Sequence, residues 1–289
     1  MSNCCLCPRK CNINRDVSVG FCGVNNQIKI ARAGLHFWEE PIISGESGSG
    51  TIFFSGCNLK CVYCQNYQIS SEAYGKTITP NRLAEIFKEL ENKGANNINL
   101  VTPSHYVNGI IEALKIYKPK IPVVYNTSGY DSVETLKKLE GYVQVFLTDL
   151  KYYSSALSKK YSMAENYFSV ATKAILEMIR QQPKNVYKNG LLKKGVIIRH
   201  MVLPGCSSDS VEVLKWIKQN CPNVIVSIMG QYTPCYKAKD YPEINKKITP
   251  LEYKRVIAMF NTLKLKNGYC QELDSATIDY IPPFDLSGV

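Results

Sequence analysis

From residue 50 almost to its end the chain alternates short apolar runs with amphipathic stretches, six times over. An apolar run bounded by turn residues and followed by a 3.6-residue period is the pattern of a strand and its crossover helix, and repetition of that unit builds a parallel sheet. "GTIFFSG" precedes "TPNRLAEIFKELENKG", "NINLV" precedes "YVNGIIEALKIY", and "IPVVYN" precedes "SVETLKKLE". "VQVFLTDL" then precedes "FSVATKAILEMIRQ", "KGVIIRHMVLPG" precedes "SSDSVEVLKWIKQN", and "NVIVSIMGQ" precedes "TPLEYKRVIAMFNTLK". The first helix carries its own punctuation: Thr79 as N-cap, Pro80 at the first helical position and Gly94 at the stop. Eight such units close a barrel, so six predict an α/β fold of the partial, open (β/α)6 TIM-like type, with chemistry at the carboxyl ends of its strands.

The flanks lack this rhythm. Residues 1–49 read as a cysteine-rich metal-binding segment and lead-in, ending in "SGESGSG", a flexible-loop signal, and residues 50–289 read as the barrel with a tail. The tail "YIPPFDLSGV" holds too much proline and glycine for a helix. The start "MSNCCLCPRK" has no secretory signal, and no run of about 18 apolar residues could span a bilayer, so a cytoplasmic protein away from membranes is expected. In a reducing compartment, 12 cysteines point to metal ligands rather than disulfides, the more so because eight precede residue 65. The formal charge of +11 comes from scattered lysines without a basic stripe, which argues for a solvated surface and against a nucleic-acid partner.

Three of those cysteines, Cys57, Cys61 and Cys64, lie in "SGCNLKCVYCQN" just after the first strand. Structural zinc takes four tetrahedral ligands, usually as two pairs, and C-x3-C-x2-C supplies three at uneven spacing. Soft thiolates in a short loop suit an iron-sulfur cluster, and three of them leave the fourth iron of a cubane open to an external ligand. With only His36, His105 and His200 in the chain, a histidine-driven hydrolase is disfavoured.

This loop, with aromatic Tyr63 before its last cysteine, resembles the signature of radical S-adenosylmethionine (SAM) enzymes. "HFWEEPIISGESGSGTIFFSGCNLKCVYCQN" resembles more closely the pyruvate formate-lyase activating enzyme-like branch, and the likeness extends to the last residues. The resemblance implies a 4Fe-4S cluster on Cys57, Cys61 and Cys64 and reductive cleavage of SAM to a 5'-deoxyadenosyl radical that abstracts hydrogen from a substrate. It implies a reducing partner such as flavodoxin or ferredoxin. It also implies a SAM site built from strand ends. Activases carry Gly-Gly-Glu at the end of strand two, where this chain departs with Thr102, Pro103 and Ser104, the alternative being a proline that simply ends a strand. At the end of strand three Asn126 stands where activases place an aspartate beside a monovalent cation. Asp149 and Lys151 in "LTDLKYY" match the motif that holds the SAM carboxylate and ribose region, with a plain surface ion pair as the alternative. Arg199 and Gln231 close strands five and six, one suited to a carboxylate and the other to ribose hydroxyls. His200 should face the opposite side from Arg199 and pack. Cys206 and Cys235 near the mouth are candidates for hydrogen-atom relay, against ordinary loop cysteines.

"CCLCPRKC" and "GFCG" supply Cys4, Cys7, Cys11 and Cys22, a closed four-ligand set that suits zinc or a second 4Fe-4S cluster, while activases often place extra cluster cysteines after the SAM motif and this chain has none there. The expected function is thus radical SAM chemistry on a protein or peptide segment admitted by an open barrel mouth. The alternatives are the same chemistry on a small metabolite, or an iron-sulfur electron-transfer or binding protein without radical chemistry. The retained "TDLK" beside an intact triplet favours the enzyme.

Overall fold

The computed structural model describes residues 3–265, 267–271 and 281–289. In chain order its elements are β1 (Ile28–His36), α1 (Pro41–Ser44), β2 (Ser49–Phe54), α2 (Tyr67–Ser70), β3 (Lys76–Ile78), α3 (Pro80–Asn92), β4 (Ile98–Val101) and α4 (Val107–Ile116). They continue with β5 (Val123–Thr127), α5 (Val133–Lys138), β6 (Val145–Asp149), α6 (Ser155–Ser162), α7 (Tyr167–Gln181), β7 (Val186–Lys188) and β8 (Leu191–Met201). α8 (Ser207–Asn220), β9 (Ile225–Met229), α9 (Pro250–Thr262) and β10 (Gly268–Cys270) complete the series.

The six strands foreseen from the alternation are β2, β4, β5, β6, β8 and β9, each parallel to the next. The result is an α/β fold with a parallel-rich central sheet, as a radical SAM partial barrel has. The sheet is wider than six strands: β10 adds a further parallel strand beside β9, and β1 and β3 add an antiparallel edge beyond β2. Its order runs β10-β9-β8-β6-β5-β4-β2-β1-β3, so among the described residues it stays open. The described part of the tail follows that edge, with Leu286 N–H donating to Ala31 and Ala33 N–H donating to Ser287. No helix among the described residues is long and apolar enough to cross a membrane.

Capping explains the helix ends. Thr79 accepts from Arg82 N–H at 3.2 Å, Pro80 opens α3, and Thr249 forms a full capping box with Glu252. Strand alternation explains the layering. On the inner face, Val124, Val145, Leu147, Ile197 and Ile225 join Ile43 and Leu192 in an apolar floor, each contributing about 1.5–3 kcal/mol by burial. Two positions beyond four of them lie Asn126, Asp149, Arg199 and Ser227, so the barrel turns polar toward its carboxyl end.

The flexible-loop reading of "SGESGSG" is corrected at its end, and the lead-in before it holds a strand that the sequence reading did not foresee. β1 occupies Ile28–His36, and Ser49 and Gly50 of "SGESGSG" already belong to β2. Gly50 packs where a Cβ would fall 3.0 Å from Leu90 and Ala95, so its glycine serves close packing rather than flexibility. The short α1 is pinned beneath β4, with Asn97 Nδ2 donating to Ile43 at 2.9 Å and Asn96 Nδ2 to Ser44 at 2.6 Å.

Candidate active site

The loop from Ser55 to Asn66 leaves the carboxyl end of β2, turning at Gly56, whose φ of +83° only glycine takes without strain. A Cβ there would fall 2.8 Å from the Cys22 carbonyl. The loop folds Cys57, Cys61 and Cys64 into mutual electrostatic range. Burial, reinforced by Cys61, pushes the Cys57 thiol up to about 12, and burial pushes Cys61 up to about 11 against the opposing charge of Lys151. Ionising Cys57 and Cys61 in this loop is costly even with Lys151 nearby, and iron cations would offset that cost. Leu59 N–H points at Cys57 Sγ at 3.4 Å, and Ser162 and Ser70 hydroxyls lie 3.0 and 3.2 Å from Cys61 Sγ and Cys64 Sγ.

Cys61 and Cys64 face a cavity of about 230 Å³ at the carboxyl ends of β6, β8 and β9, also lined by Tyr63, Asp149, Lys151, Arg199, Met201, Met229, Tyr232 and Thr233. Arg199 Nε donates to Asp149 Oδ1 at 2.9 Å and Lys151 Nζ donates to Asp149 Oδ2 at 2.6 Å. Burial alone would raise the Asp149 carboxyl, yet Arg199 and Lys151 outweigh it and hold it below the usual range. Burial likewise opposes the Lys151 and Arg199 charges, and their carboxylate neighbours reverse the effect and keep both strongly protonated. Thr233 Oγ1 is buried with no hydrogen-bond partner among the described residues, an orphaned polar atom on the wall of the cavity.

Two carboxylates that the sequence reading left without a role complete the interior. Glu39 Oε1 accepts from Asn99 at 3.0 Å and Asn126 at 3.2 Å, and Glu39 Oε2 lies 3.5 Å from Arg199 Nη1. Glu40 accepts from Ser227 at 3.2 Å and from Tyr269. Consecutive residues thus tie β4 and β5 to β9 and β10 from inside the barrel. Burial raises both carboxyls above their ordinary value despite Arg199 nearby. A signal was present: two adjacent glutamates before Pro41, immediately upstream of the first barrel strand.

The other expected site residues fall as follows. Asn126 lies below the cavity rather than on its wall, its Oδ1 accepting from Arg199 Nη2 at 2.8 Å. Thr102, at φ +60°, Pro103 and Ser104 turn the chain after β4; Thr102 N–H donates to the Asn126 carbonyl at 2.9 Å and Ser104 is buried against Thr127. None of the three lines the cavity, nor does Gln231, although its neighbours Tyr232 and Thr233 do. Cys235 donates to the Tyr63 carbonyl at 3.1 Å, behind the cysteine loop, and Cys206 occupies the N-cap position of α8 without a side-chain capping bond; neither lines the cavity. His200 is packed, its Nδ1 donating to the Leu150 carbonyl at 2.6 Å.

The amino-terminal cysteines form a second assembly. Cys7 and Cys22 are buried, Cys4, Cys11 and Cys22 are all electrostatic neighbours of Cys7, and the missing Cβ of Gly20 would touch Cys11 Sγ at 3.4 Å and Cys22 Sγ at 3.6 Å. Arg9 reaches from this segment to the carbonyls of Asn58 at 2.8 Å and Met163 at 2.6 Å.

Residues 51–217 match the family model described as the radical SAM superfamily, a span that holds the cysteine triplet and the ends of β2 through β8. The chain belongs to the radical SAM superfamily. It is 34% identical over 271 residues to an uncharacterized protein of Methanocaldococcus jannaschii, an alignment covering 89% of this chain and 74% of the relative. The family implies a 4Fe-4S cluster, SAM and an enzyme of radical chemistry. The residues present fit those groups: three half-buried thiols in one loop, and beside them a cavity lined by the cationic side chains of Lys151 and Arg199 and by an unsatisfied hydroxyl.

Proposed function

We propose that this radical SAM enzyme works in the manner of glycyl-radical activating enzymes, abstracting hydrogen from a segment of a protein or peptide. Cys57, Cys61 and Cys64 hold the cluster, Lys151 and Arg199 receive the SAM carboxylate, and Asp149 positions both cations. When bound, the cluster supplies the electron that cleaves SAM to methionine and the 5'-deoxyadenosyl radical. The chain's own part is orientation: Met201, Met229, Tyr63 and Tyr232 give the cavity largely apolar walls, while the fixed charges of Asp149, Lys151 and Arg199 set the pose.

The observation that carries the substrate class is size. A cavity of about 230 Å³ falls below the roughly 300–1,000 Å³ typical of small-ligand pockets. SAM alone would take up that space, which supports a reacting group presented from outside by a larger molecule. No residue before Cys61 and none of the described tail lines the cavity, which supports access from solvent. The direct test supplies candidate proteins and peptides deuterated at glycine and measures label in 5'-deoxyadenosine. Transfer from a polypeptide supports the proposal; transfer solely from a small metabolite contradicts it.

A further inference from the structure

We infer that Cys4, Cys7, Cys11 and Cys22 bind a second 4Fe-4S cluster rather than zinc, and that the Cys22–Cys57 backbone contact couples it electronically to the barrel cluster. The inference begins with the thiols themselves. Cys4, Cys11 and Cys22 are all electrostatic neighbours of Cys7, and Cys11 and Cys22 flank Gly20, so four soft thiolates gather in one short segment. The place of that segment selects a cluster over zinc: it is joined directly to the loop that holds the barrel cluster, where a redox centre can pass an electron and zinc, which has no redox chemistry, cannot.

Backbone amides point the same way. Phe21 N–H donates to Cys11 Sγ at 3.3 Å, as Leu59 N–H does to Cys57 Sγ at 3.4 Å, and such bonds to sulfur tune a cluster's potential. The two loops also touch directly. Cys57 N–H donates to the Cys22 carbonyl at 3.2 Å, so one hydrogen bond joins the backbones of two ligand residues, and Arg9 braces the junction by lying 3.8 Å over Phe21 while donating to Asn58. Gly56 is what allows this approach.

The relay is a one-electron transfer. A low-potential donor of the ferredoxin or flavodoxin class reduces the amino-terminal cluster by one electron and is itself oxidised by one. That cluster passes the electron to the barrel cluster and returns to its oxidised state, with no bond or proton changed. The relay rests on the radical chemistry proposed for the barrel; the presence of the second cluster does not.

The experiment therefore begins without the barrel cluster. Cys57→Ala/Cys61→Ala/Cys64→Ala, purified and reconstituted without oxygen, should keep about four irons and four sulfides per chain, with a reduced cluster signal in electron paramagnetic resonance that SAM does not perturb. One zinc and no iron would overturn the inference while leaving the radical chemistry intact. The relay is tested in Cys11→Ser by the ratio of SAM cleavage driven by reduced flavodoxin to that driven by dithionite. The ratio should fall at least tenfold relative to the natural chain. An unchanged ratio overturns the relay, including the case in which both rates fall together because Cys11 supports the barrel loop mechanically.

Discussion

Arg199 and Asp149, at the ends of adjacent parallel strands, meet through a 2.9 Å hydrogen bond from Nε to Oδ1 inside the barrel mouth. The guanidinium also faces Glu39 and Asn126, so one arginine satisfies groups from three directions. Removing one partner of a buried ion pair leaves the other uncompensated, at a cost of about 3–5 kcal/mol. Arg199→Met should therefore lower the anaerobic thermal midpoint by several degrees, whereas an unchanged midpoint would mean that solvent already compensates Asp149 and Glu39.

Lys151 shares Asp149 with Arg199 and lines the cavity with Cys61. Lys151→Ala removes a charge-assisted hydrogen bond worth about 1.5–3 kcal/mol, so SAM should bind roughly tenfold to a hundredfold more weakly. Equilibrium titration with SAM checks this, and undiminished affinity would move Lys151 out of the binding role.

Gly129 holds the end of β6 in place from the neighbouring loop. Its φ is +80°, and a Cβ would fall 2.2 Å from the Asp149 carbonyl, which Tyr167 Oη also engages at 3.1 Å. Gly129→Ala should cost about 1–3 kcal/mol and weaken SAM binding together with stability, since the displaced backbone carries Asp149 and Lys151. Loss of stability with intact SAM affinity would separate this turn from the site.

Much of this was legible in the sequence because local signals and tertiary structure agree. The six strands, the Thr79 cap and the cysteine loop follow from periodicity and spacing. β1 escaped because "IKIARAGLH" adds an antiparallel strand outside the repeating unit, and β10 because "GYC" is too short to show alternation. The β7–β8 hairpin was also missed, although Asn189-Gly190, both at positive φ, is a strong turn signal. Glu39 and Glu40 were passed over for another reason: the adjacent pair before Pro41 stands out, but in a glycine-rich lead-in acidic residues read as solvated, and the fold shows them buried among Asn99, Asn126, Ser227 and Tyr269.

His105 offers a pH test. Burial, aided by Arg15 and Lys60, lowers its pKa from 6.5 to about 3, while its Nε2 donates to the Ser55 carbonyl at 2.8 Å. Below about pH 6.5 the unfolded chain takes up a proton that the folded chain refuses, so this stability is full above 6.5 and is lost as pH falls toward 3. Between pH 7 and 5.5 the natural chain should lose about 1 kcal/mol more than His105→Gln in anaerobic denaturant unfolding. Parallel losses in the two proteins would show that His105 does not contribute.

The most direct measurement is 5'-deoxyadenosine formed from SAM by the anaerobically reconstituted protein under a low-potential reductant, beside Cys57→Ala, Cys61→Ala and Cys64→Ala. Each cysteine ligates one iron; of the other thiols near this loop, Cys235 is engaged with the Tyr63 carbonyl and Cys22 belongs to the amino-terminal set. The natural chain should produce 5'-deoxyadenosine and each variant none. Undiminished product from any one variant, or none from a natural chain carrying its full iron and sulfide, would contradict radical SAM chemistry at this site.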